Sequence, residues 1–256
     1  MCQMTSAQTF VIVGASLTGA KAAETLRTEG FDGRVVLIGE ETERPYERPM
    51  LSKEYLRGEK PADKLYVHDE GFYADNQIEL LTRTRVVSVD PEAREVTLAD
   101  GSRMAYRRLL LSTGAAPRRL RLPGADLPGV RYLRQMGDSD ALRAAITAAS
   151  RVVVIGAGWI GSEVAASARQ LGAEVAIVAP EAVPLERVLG PEVGAVYPTC
   201  TPSTGSTCTC PPRSRRSSGA VPPVACAPPT ARSSRATWWS WELVRRRVTS
   251  WRETPA

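Results

Sequence analysis

The sequence predicts an α/β protein with two Rossmann-like dinucleotide-binding domains, of which the second is incomplete. Three observations support this prediction. A glycine-rich turn follows an apolar strand near residue 14, the same arrangement recurs near residue 156, and the composition changes after residue 197. The predicted domains cover residues 1–117 and 118–197, and residues 198–256 form a tail. Because the tail is rich in Pro, Ser, Thr and Arg, we expect it to be non-native and largely disordered.

The first glycine-rich turn lies in FVIVGASLTGAKAAETLRTEG, which begins at Phe10. This stretch predicts a buried strand, a turn with the skeleton Gly14-x-Ser16-x-x-Gly19, and a helix. In this motif the first glycine makes a tight turn, the small second residue lets a pyrophosphate approach the backbone, and the third glycine lets the helix pack on the strand. The phosphate binds to free amides at the helix N-terminus. The next strand, RVVLIGE, ends in Glu40, whose carboxylate we expect to accept hydrogen bonds from the ribose hydroxyls.

The stretch between the two turns, REVTLADGSRMAYRRLLLSTGAAP, predicts a hairpin around Asp100-Gly101. A buried strand then ends at Thr113-Gly114. This antiparallel excursion returns the chain to the first turn before the second begins.

The second glycine-rich turn lies in RVVVIGAGWIGSEVAASARQLGAEVAIVAPE and contains Gly156, Gly158 and Gly161. One such motif is weak evidence, since glycine turns also occur in ordinary α/β sheets. Two copies, each with its own strand, helix and following strand, indicate two bound dinucleotides.

Charge and cysteine usage exclude several other functions. The formal net charge is +5, but residues 198–256 hold nine of the 33 Lys and Arg residues and two of the 28 Asp and Glu residues. The body is therefore slightly acidic, which argues against nucleic-acid binding. The five cysteines form no C-x-x-C and have no histidine nearby, which argues against a metal site. No apolar run is long enough for a membrane span and no signal peptide is evident, so we expect a cytoplasmic protein.

The block RPYERPMLSKEYLRGE, from Arg44 to Glu59, indicates a family. Together with LLLSTGAAPRRL, GVRYLRQMGDSDALR and GAGWIGSEVA, it resembles the FAD-dependent, NADH-using ferredoxin reductases of the rhodocoxin and putidaredoxin reductase type. The resemblance runs from Thr9 to Tyr197 and implies an FAD domain followed by a partial NAD(P) domain. Relatives of glutathione reductase carry a redox cysteine pair after the first turn. This sequence has none there, which argues against a dithiol mechanism.

The resemblance also implies a set of site residues. From chemistry alone, the block is either a Pro-stiffened loop whose Arg48 binds a phosphate, or a solvated charged loop. The resemblance implies that Arg48 and Lys53 contact FAD, with Lys53 near the reactive edge of the flavin. The remaining implied FAD residues are Gly14, Ser16, Gly19, Glu40, Val86, Thr113, Gly114 and Arg134. The implied NAD(P) residues are Gly156, Gly158, Trp159, Ile160, Gly161 and Glu163.

Lys53 and Glu163 are the predicted catalytic residues. In the family the acid at this place pairs with the flavin-side lysine, so we expect a Lys53–Glu163 ion pair that positions the nicotinamide. The alternative for Glu163 is a solvated carboxylate stabilised by the helix dipole. Trp159 either flanks the same gap or is a core tryptophan.

The cofactor preference depends on the end of the strand EVAIV. Many relatives place a glutamate there, whereas this chain has Ala179, with Glu181 two residues on. No arginine stands at that position to bind a 2′-phosphate, so NADH is favoured over NADPH.

The resemblance implies hydride transfer from NAD(P)H to FAD, and then single-electron transfer to a 2Fe–2S ferredoxin that serves a cytochrome P450 or a dioxygenase. Two alternatives remain open. One is a flavin reductase for rubredoxin, a nitrite reductase or oxygen. The other is a non-catalytic, nucleotide-binding remnant.

The tail contains the stretch TWWSWELVRRR, which a disordered basic segment does not explain. If translation from Pro198 onward is shifted to start at the third base of each codon, the codons can encode DLHAEHGVDLHL. This string predicts the end of a helix followed by a strand. The same frame permits DLVVVGA or DLVVVGV from Ala236 to Leu243, a strand and a glycine turn. We therefore hypothesise a frameshift near Tyr197 that truncates a longer gene product. On that hypothesis, open sheet edges would weaken flavin binding and favour aggregation.

Overall fold

A computed structural model describes residues 8–149 and 151–196, together with the backbone of residues 207–208 and 237–240. The described chain divides into two compact units. The first contains residues 8–48 and 61–116, and the second contains residues 49–60 and those that follow residue 116. Each unit holds a parallel sheet with helices, so the predicted α/β class is confirmed.

The first unit contains a parallel sheet, an antiparallel sheet and two helices. Its elements are β1 (Thr9–Val13), α1 (Leu17–Thr28), β2 (Arg34–Ile38), α2 (Phe72–Asp75), β3 (Ile78–Leu81), β4 (Val86–Asp90), β5 (Glu95–Leu98), β6 (Arg103–Ala105) and β7 (Arg108–Leu111). The parallel sheet has the strand order β3-β2-β1-β7, and the antiparallel sheet has the order β4-β5-β6. The predicted hairpin around Asp100-Gly101 joins β5 to β6.

The core of the first unit lies on both faces of β1 and β2. Val11 and Val36 on one face pack with Val96 of the antiparallel sheet. Ile12 and Leu37 on the other face pack with the helical side, and all five side chains are at most 1% exposed. Central strands of a parallel sheet are covered on both faces, which is why they read as continuous runs of Val, Ile and Leu.

His68, the only histidine of the chain, is buried in the first unit. Its ring stacks on Phe72 at a centroid distance of 3.7 Å, and its Nε2 atom lies 3.4 Å from a carboxylate oxygen of Glu24. Burial lowers the pKa of His68 below its usual value, against the opposing effect of Glu24. Neutral His68 is therefore the form that the folded state prefers.

This environment predicts a pH-dependent stability. Because the unfolded chain binds the histidine proton more readily, His68 stabilises the fold fully above about pH 6.5 and loses that contribution as the pH falls below it. The free energy of unfolding should be measured for the wild type and for His68→Gln at about pH 7.5 and about pH 5.5. We expect the wild type to lose more stability than the variant on acidification. Equal losses in both proteins would contradict the assignment.

The second unit contains a second parallel sheet and three helices in its described part. Its elements are α3 (Met136–Ala148), β8 (Arg151–Ile155), α4 (Trp159–Gln170), β9 (Glu174–Val178), α5 (Glu186–Gly194), β10 (Thr207–Cys208) and β11 (Thr237–Ser240). The strand order is β10-β9-β8-β11, with every neighbouring pair parallel. A 3-10 helix spans Arg48–Ser52 at the start of the segment 49–60.

The strands β10 and β11 lie within the predicted tail. Their backbone pairs with β9 and β8 respectively, so these six residues are strand. Both lie in stretches for which the alternative reading frame permits a strand. The rest of the tail prediction concerns residues outside the described part of the chain.

Candidate functional site

The first glycine-rich turn has the close backbone packing that its motif predicts. Gly14 follows β1 with a φ of +117°, and a Cβ atom there would lie 2.2 Å from the carbonyl oxygen of Ser112. A Cβ atom at Gly19 would lie 2.1 Å from the carbonyl oxygen of Gly14. Ser16 is the N-cap of α1, in an extended conformation and with no side-chain cap hydrogen bond. The first amides of α1 are therefore available to a phosphate.

Three predicted residues share the edge of the sheet that carries this turn. β1 runs parallel to β2 and to β7, so the residues that follow the three strands lie at the same edge. Glu40 follows β2 with 65% of its side chain exposed, and its carboxylate lies 3.3 Å from Arg85. Thr113 and Gly114 follow β7 and are exposed. The edge thus combines a phosphate cradle with an accessible carboxylate, which fits the pyrophosphate and the ribose of a dinucleotide.

Val86 belongs to the first unit and Arg134 to the second. Val86 begins β4 and pairs with Leu98 in the antiparallel sheet. Arg134 precedes α3 in the second unit, where its backbone amide donates to a carboxylate oxygen of Asp138 at 2.9 Å. Val86 packs against the core cluster that includes Val13 and Ile38, the last residues of β1 and β2, so it lies close to the edge that carries the first turn. The contacts of Val86 and Arg134 with FAD stay predictions.

Arg48 is held by neighbours within the first unit. Its Nη2 atom donates to Glu41, its Nη1 atom donates to the Tyr46 hydroxyl at 2.9 Å, and that hydroxyl donates to the other oxygen of Glu41. The solvated-loop alternative does not describe this arrangement, since the guanidinium and the carboxylate are both mostly buried. The network orients the guanidinium group, and the contact between Arg48 and FAD stays a prediction.

The second glycine-rich turn repeats the geometry of the first. Gly156 follows β8 with a φ of +111°, and a Cβ atom at Gly161 would lie 2.1 Å from the carbonyl oxygen of Gly156. A Cβ atom at Gly158 would meet no heavy atom within 4 Å. Gly158 therefore faces open space at the start of α4, which is the room that a pyrophosphate needs.

One aromatic and one aliphatic residue lie between Gly158 and Gly161. Trp159 is 48% exposed, so the alternative of a core tryptophan is wrong. Ile160 beside it is half-buried. Trp159 is at the first position of α4, whose buried face consists of smaller residues, among them Val164, Ala165 and Ala168.

The ion pair expected between Lys53 and Glu163 is present within the second unit. The Nζ atom of Lys53 lies 3.0 Å from Oε2 of Glu163, and it also donates to the carbonyl oxygen of Pro49 at 2.9 Å. The Ser52 hydroxyl donates to the same Oε2 atom at 2.6 Å. The carboxylate therefore has two donors on one oxygen, and the alternative of a merely solvated carboxylate is wrong.

Helices α3 and α4 hold the segment 49–60 that carries Lys53. The hydroxyl of Ser139 donates to the carbonyl oxygen of Leu51 at 2.8 Å, and that of Ser167 donates to the carbonyl oxygen of Ser52 at 2.7 Å. The Tyr55 hydroxyl donates to Asp140 at 2.8 Å. These bonds hold the segment beside α4, the helix that carries Glu163.

The sequence analysis did not identify Ser52, Glu41 or Tyr46. Ser52 and Tyr46 lie in the same sequence block as Lys53. No local spacing, however, distinguishes a serine that contacts Glu163 from one that faces solvent. The Ser52–Glu163 hydrogen bond joins residues about a hundred positions apart, so only the tertiary fold reveals it.

The family assignment follows from the comparison with known proteins. A model of the pyridine nucleotide-disulphide oxidoreductases matches residues 8–202. The chain belongs to the pyridine nucleotide-disulphide oxidoreductase family. This member has no cysteine between residues 3 and 199, so no dithiol follows its first glycine-rich turn.

Other members of the family resemble the chain over less than half of their length. Rhodocoxin reductase of Rhodococcus erythropolis is 42% identical over 178 residues, which are 70% of this chain and 42% of that protein. The ferredoxin–NAD(+) reductase component of the biphenyl dioxygenase system of Paraburkholderia xenovorans is 41% identical over 66% of this chain and 41% of that protein. The structure of the covalent putidaredoxin reductase–putidaredoxin complex matches with a TM-score of 0.76 and 37% identity, over 79% of this chain and 49% of that chain.

The residue that directly follows β9 is an alanine and not an acidic residue. Ala179 is 5% exposed, and the nearest carboxylate in sequence is Glu181, whose side chain is 17% exposed. An oxygen of Glu181 lies 2.5 Å from Nε of Arg187 in α5. A carboxylate and a guanidinium group therefore both stand just after the strand.

The described residues contain neither a candidate metal centre nor a candidate membrane span. Among the described residues, no group of three or more His, Cys, Asp or Glu side chains is arranged to hold a metal ion. None of the helices in the described part of the chain combines the length and the apolar character that crossing a membrane requires.

Proposed function

We propose that this chain is an NAD(P)H-dependent flavoprotein that transfers a hydride from NAD(P)H to FAD and then electrons to a ferredoxin. The observation that carries the proposal is the pair of glycine-rich turns, each at the edge of its own parallel sheet. FAD supplies the ability to accept two electrons together and to release them singly. One hydride thus serves two ferredoxin molecules, and one proton is released.

The chain's own residues have separate tasks in this proposal. The amides at the start of α1 bind the FAD pyrophosphate, and Glu40 accepts hydrogen bonds from its ribose. The open space at Gly158 admits the NAD(P) pyrophosphate. Lys53 and Glu163 orient the nicotinamide ring, because a fixed ion pair beside the bound ring restricts its positions. Trp159 is exposed at the same helix start and shields this place from water.

The acceptor is proposed to be a 2Fe–2S ferredoxin. Support comes from the similarity to ferredoxin reductase components, which is 41% identity for the biphenyl dioxygenase system. Rubredoxin is a second candidate, because the rubredoxin–NAD(+) reductase of Pseudomonas putida is 41% identical over 68% of this chain. Reduction of each purified acceptor by the FAD-loaded protein and NADH tests the choice. The proposed location is the cytoplasm, where NAD(P)H is regenerated.

NADH is the proposed donor. Glu181 stands two residues beyond β9, where a carboxylate repels a 2′-phosphate and accepts hydrogen bonds from ribose hydroxyls. Arg187 neutralises part of the charge of Glu181, so we expect a modest and not an absolute preference for NADH over NADPH.

The preference for NADH makes Glu181 a testable specificity residue. Glu181→Ala should lower the ratio of the NADPH to the NADH dissociation constant about tenfold, since it removes the carboxylate that repels a 2′-phosphate. Glu192→Ala is the control, because it makes the same change in net charge in α5, the helix that carries Arg187. The dissociation constants are measured by quenching of nucleotide fluorescence. An unchanged ratio in Glu181→Ala would show that this carboxylate does not contact the ribose.

A further inference from the structure

Ser52 stands out among the buried polar residues that the sequence analysis did not single out. Ser52 is 2% exposed, and its hydroxyl donates to Oε2 of Glu163 at 2.6 Å. An O–H···O⁻ distance in this range is typical of a charge-assisted hydrogen bond. Ser52 thus contacts the acidic partner of Lys53 directly.

The backbone of Ser52 is itself fixed. Its carbonyl oxygen accepts a hydrogen bond from Ser167 at 2.7 Å, and Ser167 is 1% exposed. The preceding residue, Leu51, is fixed in the same way by Ser139, which is fully buried. The backbone at Ser52 is therefore held in place, and with it the point from which the hydroxyl reaches Glu163.

The three serines therefore have different contacts. Ser139 and Ser167 donate to backbone carbonyl oxygens and hold the segment 49–60 on α3 and α4. Ser52 alone among these three donates to a charged side chain. The bond to Glu163 is not needed to hold the segment, since the other two serines and Tyr55 already do so.

We propose that Ser52 is a positioning residue that sets the orientation of Glu163, and through it the place of the Lys53 ammonium group. This inference rests on the proposed function. With Oε2 bound by both Ser52 and Lys53, the Oε1 atom has one preferred direction. Loss of the hydroxyl lets the carboxylate rotate, and the ion pair then samples arrangements that do not orient a nicotinamide.

The test is a double-mutant cycle of Ser52→Ala and Glu163→Ala, with Thr147→Ala on the exposed side of α3 as the control. Each protein is loaded with FAD, and the rate of flavin reduction by NADH is measured by stopped flow. The urea midpoint of each protein without FAD is measured in parallel. We expect Ser52→Ala to slow reduction about tenfold at an unchanged FAD content. Thr147→Ala should leave the rate and the FAD content unchanged, because its exposed hydroxyl donates within α3, to the carbonyl oxygen of Arg143 at 2.9 Å.

The cycle separates positioning from a structural role. If Ser52 acts through Glu163, its substitution has no further effect on the rate or on the urea midpoint once Glu163 is alanine. Additive effects in both measurements would overturn the proposal, as would a rate in Ser52→Ala equal to that of the wild type.

A failure of the proposed function has a different signature. A wild-type chain that binds FAD but is not reduced by NADH contradicts that function. The urea cycle then decides about Ser52 by itself: non-additive midpoints support the bond as the determinant of Glu163 orientation, and additive midpoints overturn it.

Discussion

Replacing Gly161 by alanine is expected to destabilise the second unit by about 3 kcal/mol. The new Cβ atom would lie 2.1 Å from the carbonyl oxygen of Gly156, which is backbone and has no rotamer to yield. Alanine favours a helix over glycine by ~1 kcal/mol, so the clash outweighs the gain in helix propensity. The first turn of α4 would move away from β8, and the urea midpoint of the chain should fall.

Gly158→Ala is the matched control, because it adds the same methyl group three residues earlier. Its Cβ atom meets no protein atom within 4 Å, and the residue has a negative φ of −79°. We expect a loss of about 1 kcal/mol, the usual cost of an alanine at the N-cap, which is well below the loss for Gly161→Ala. NADH affinity should nevertheless fall, because the methyl group occupies the pyrophosphate space. Equal destabilisation by the two variants would contradict the separate roles of the two glycines.

Lys53→Ala is expected to lower the rate of flavin reduction by NADH by about 100-fold. The substitution leaves Glu163 with the single donor Ser52 and removes the cation that shares its Oε2 atom. A misplaced nicotinamide, rather than a lost nucleotide, is the expected defect. The rate is measured by anaerobic stopped flow at saturating NADH, so that a change in affinity does not contribute.

Lys64→Ala is the control for this prediction. Lys64 also forms a lysine–carboxylate pair, with Asp63 at 3.5 Å, but both side chains are about two-thirds exposed, and such pairs contribute little. Its removal should leave the rate unchanged. If Lys53→Ala reduced flavin as fast as Lys64→Ala does, Lys53 would have no part in the hydride transfer.

The glycine-rich turns could be predicted from sequence because their requirements are local. Gly14 and Gly156 both have positive φ values, and Gly19 and Gly161 both lie against a backbone oxygen, as the motif demands. The same holds for the buried runs of β1 and β2, whose composition follows from burial on both faces.

The remainder of the site depends on contacts that have no sequence signal. The Ser52–Glu163 bond joins residues 111 positions apart, and the Glu41–Tyr46–Arg48 network depends on the path of a loop. The exposure of Trp159 could not be predicted, because a tryptophan at a helix start is compatible with either a core or a surface position. The segment 49–60 is close to the first turn in sequence, yet it groups with the second unit.

The most direct test of the two-nucleotide account is anaerobic mixing of the FAD-loaded chain with NADH while the flavin absorbance is followed. We expect the purified chain to take up FAD, and NADH to bleach the flavin absorbance. Gly158→Ala should require a much higher NADH concentration for the same rate of flavin reduction. A chain that takes up no FAD, or a bound flavin that NADH leaves oxidised, would contradict it.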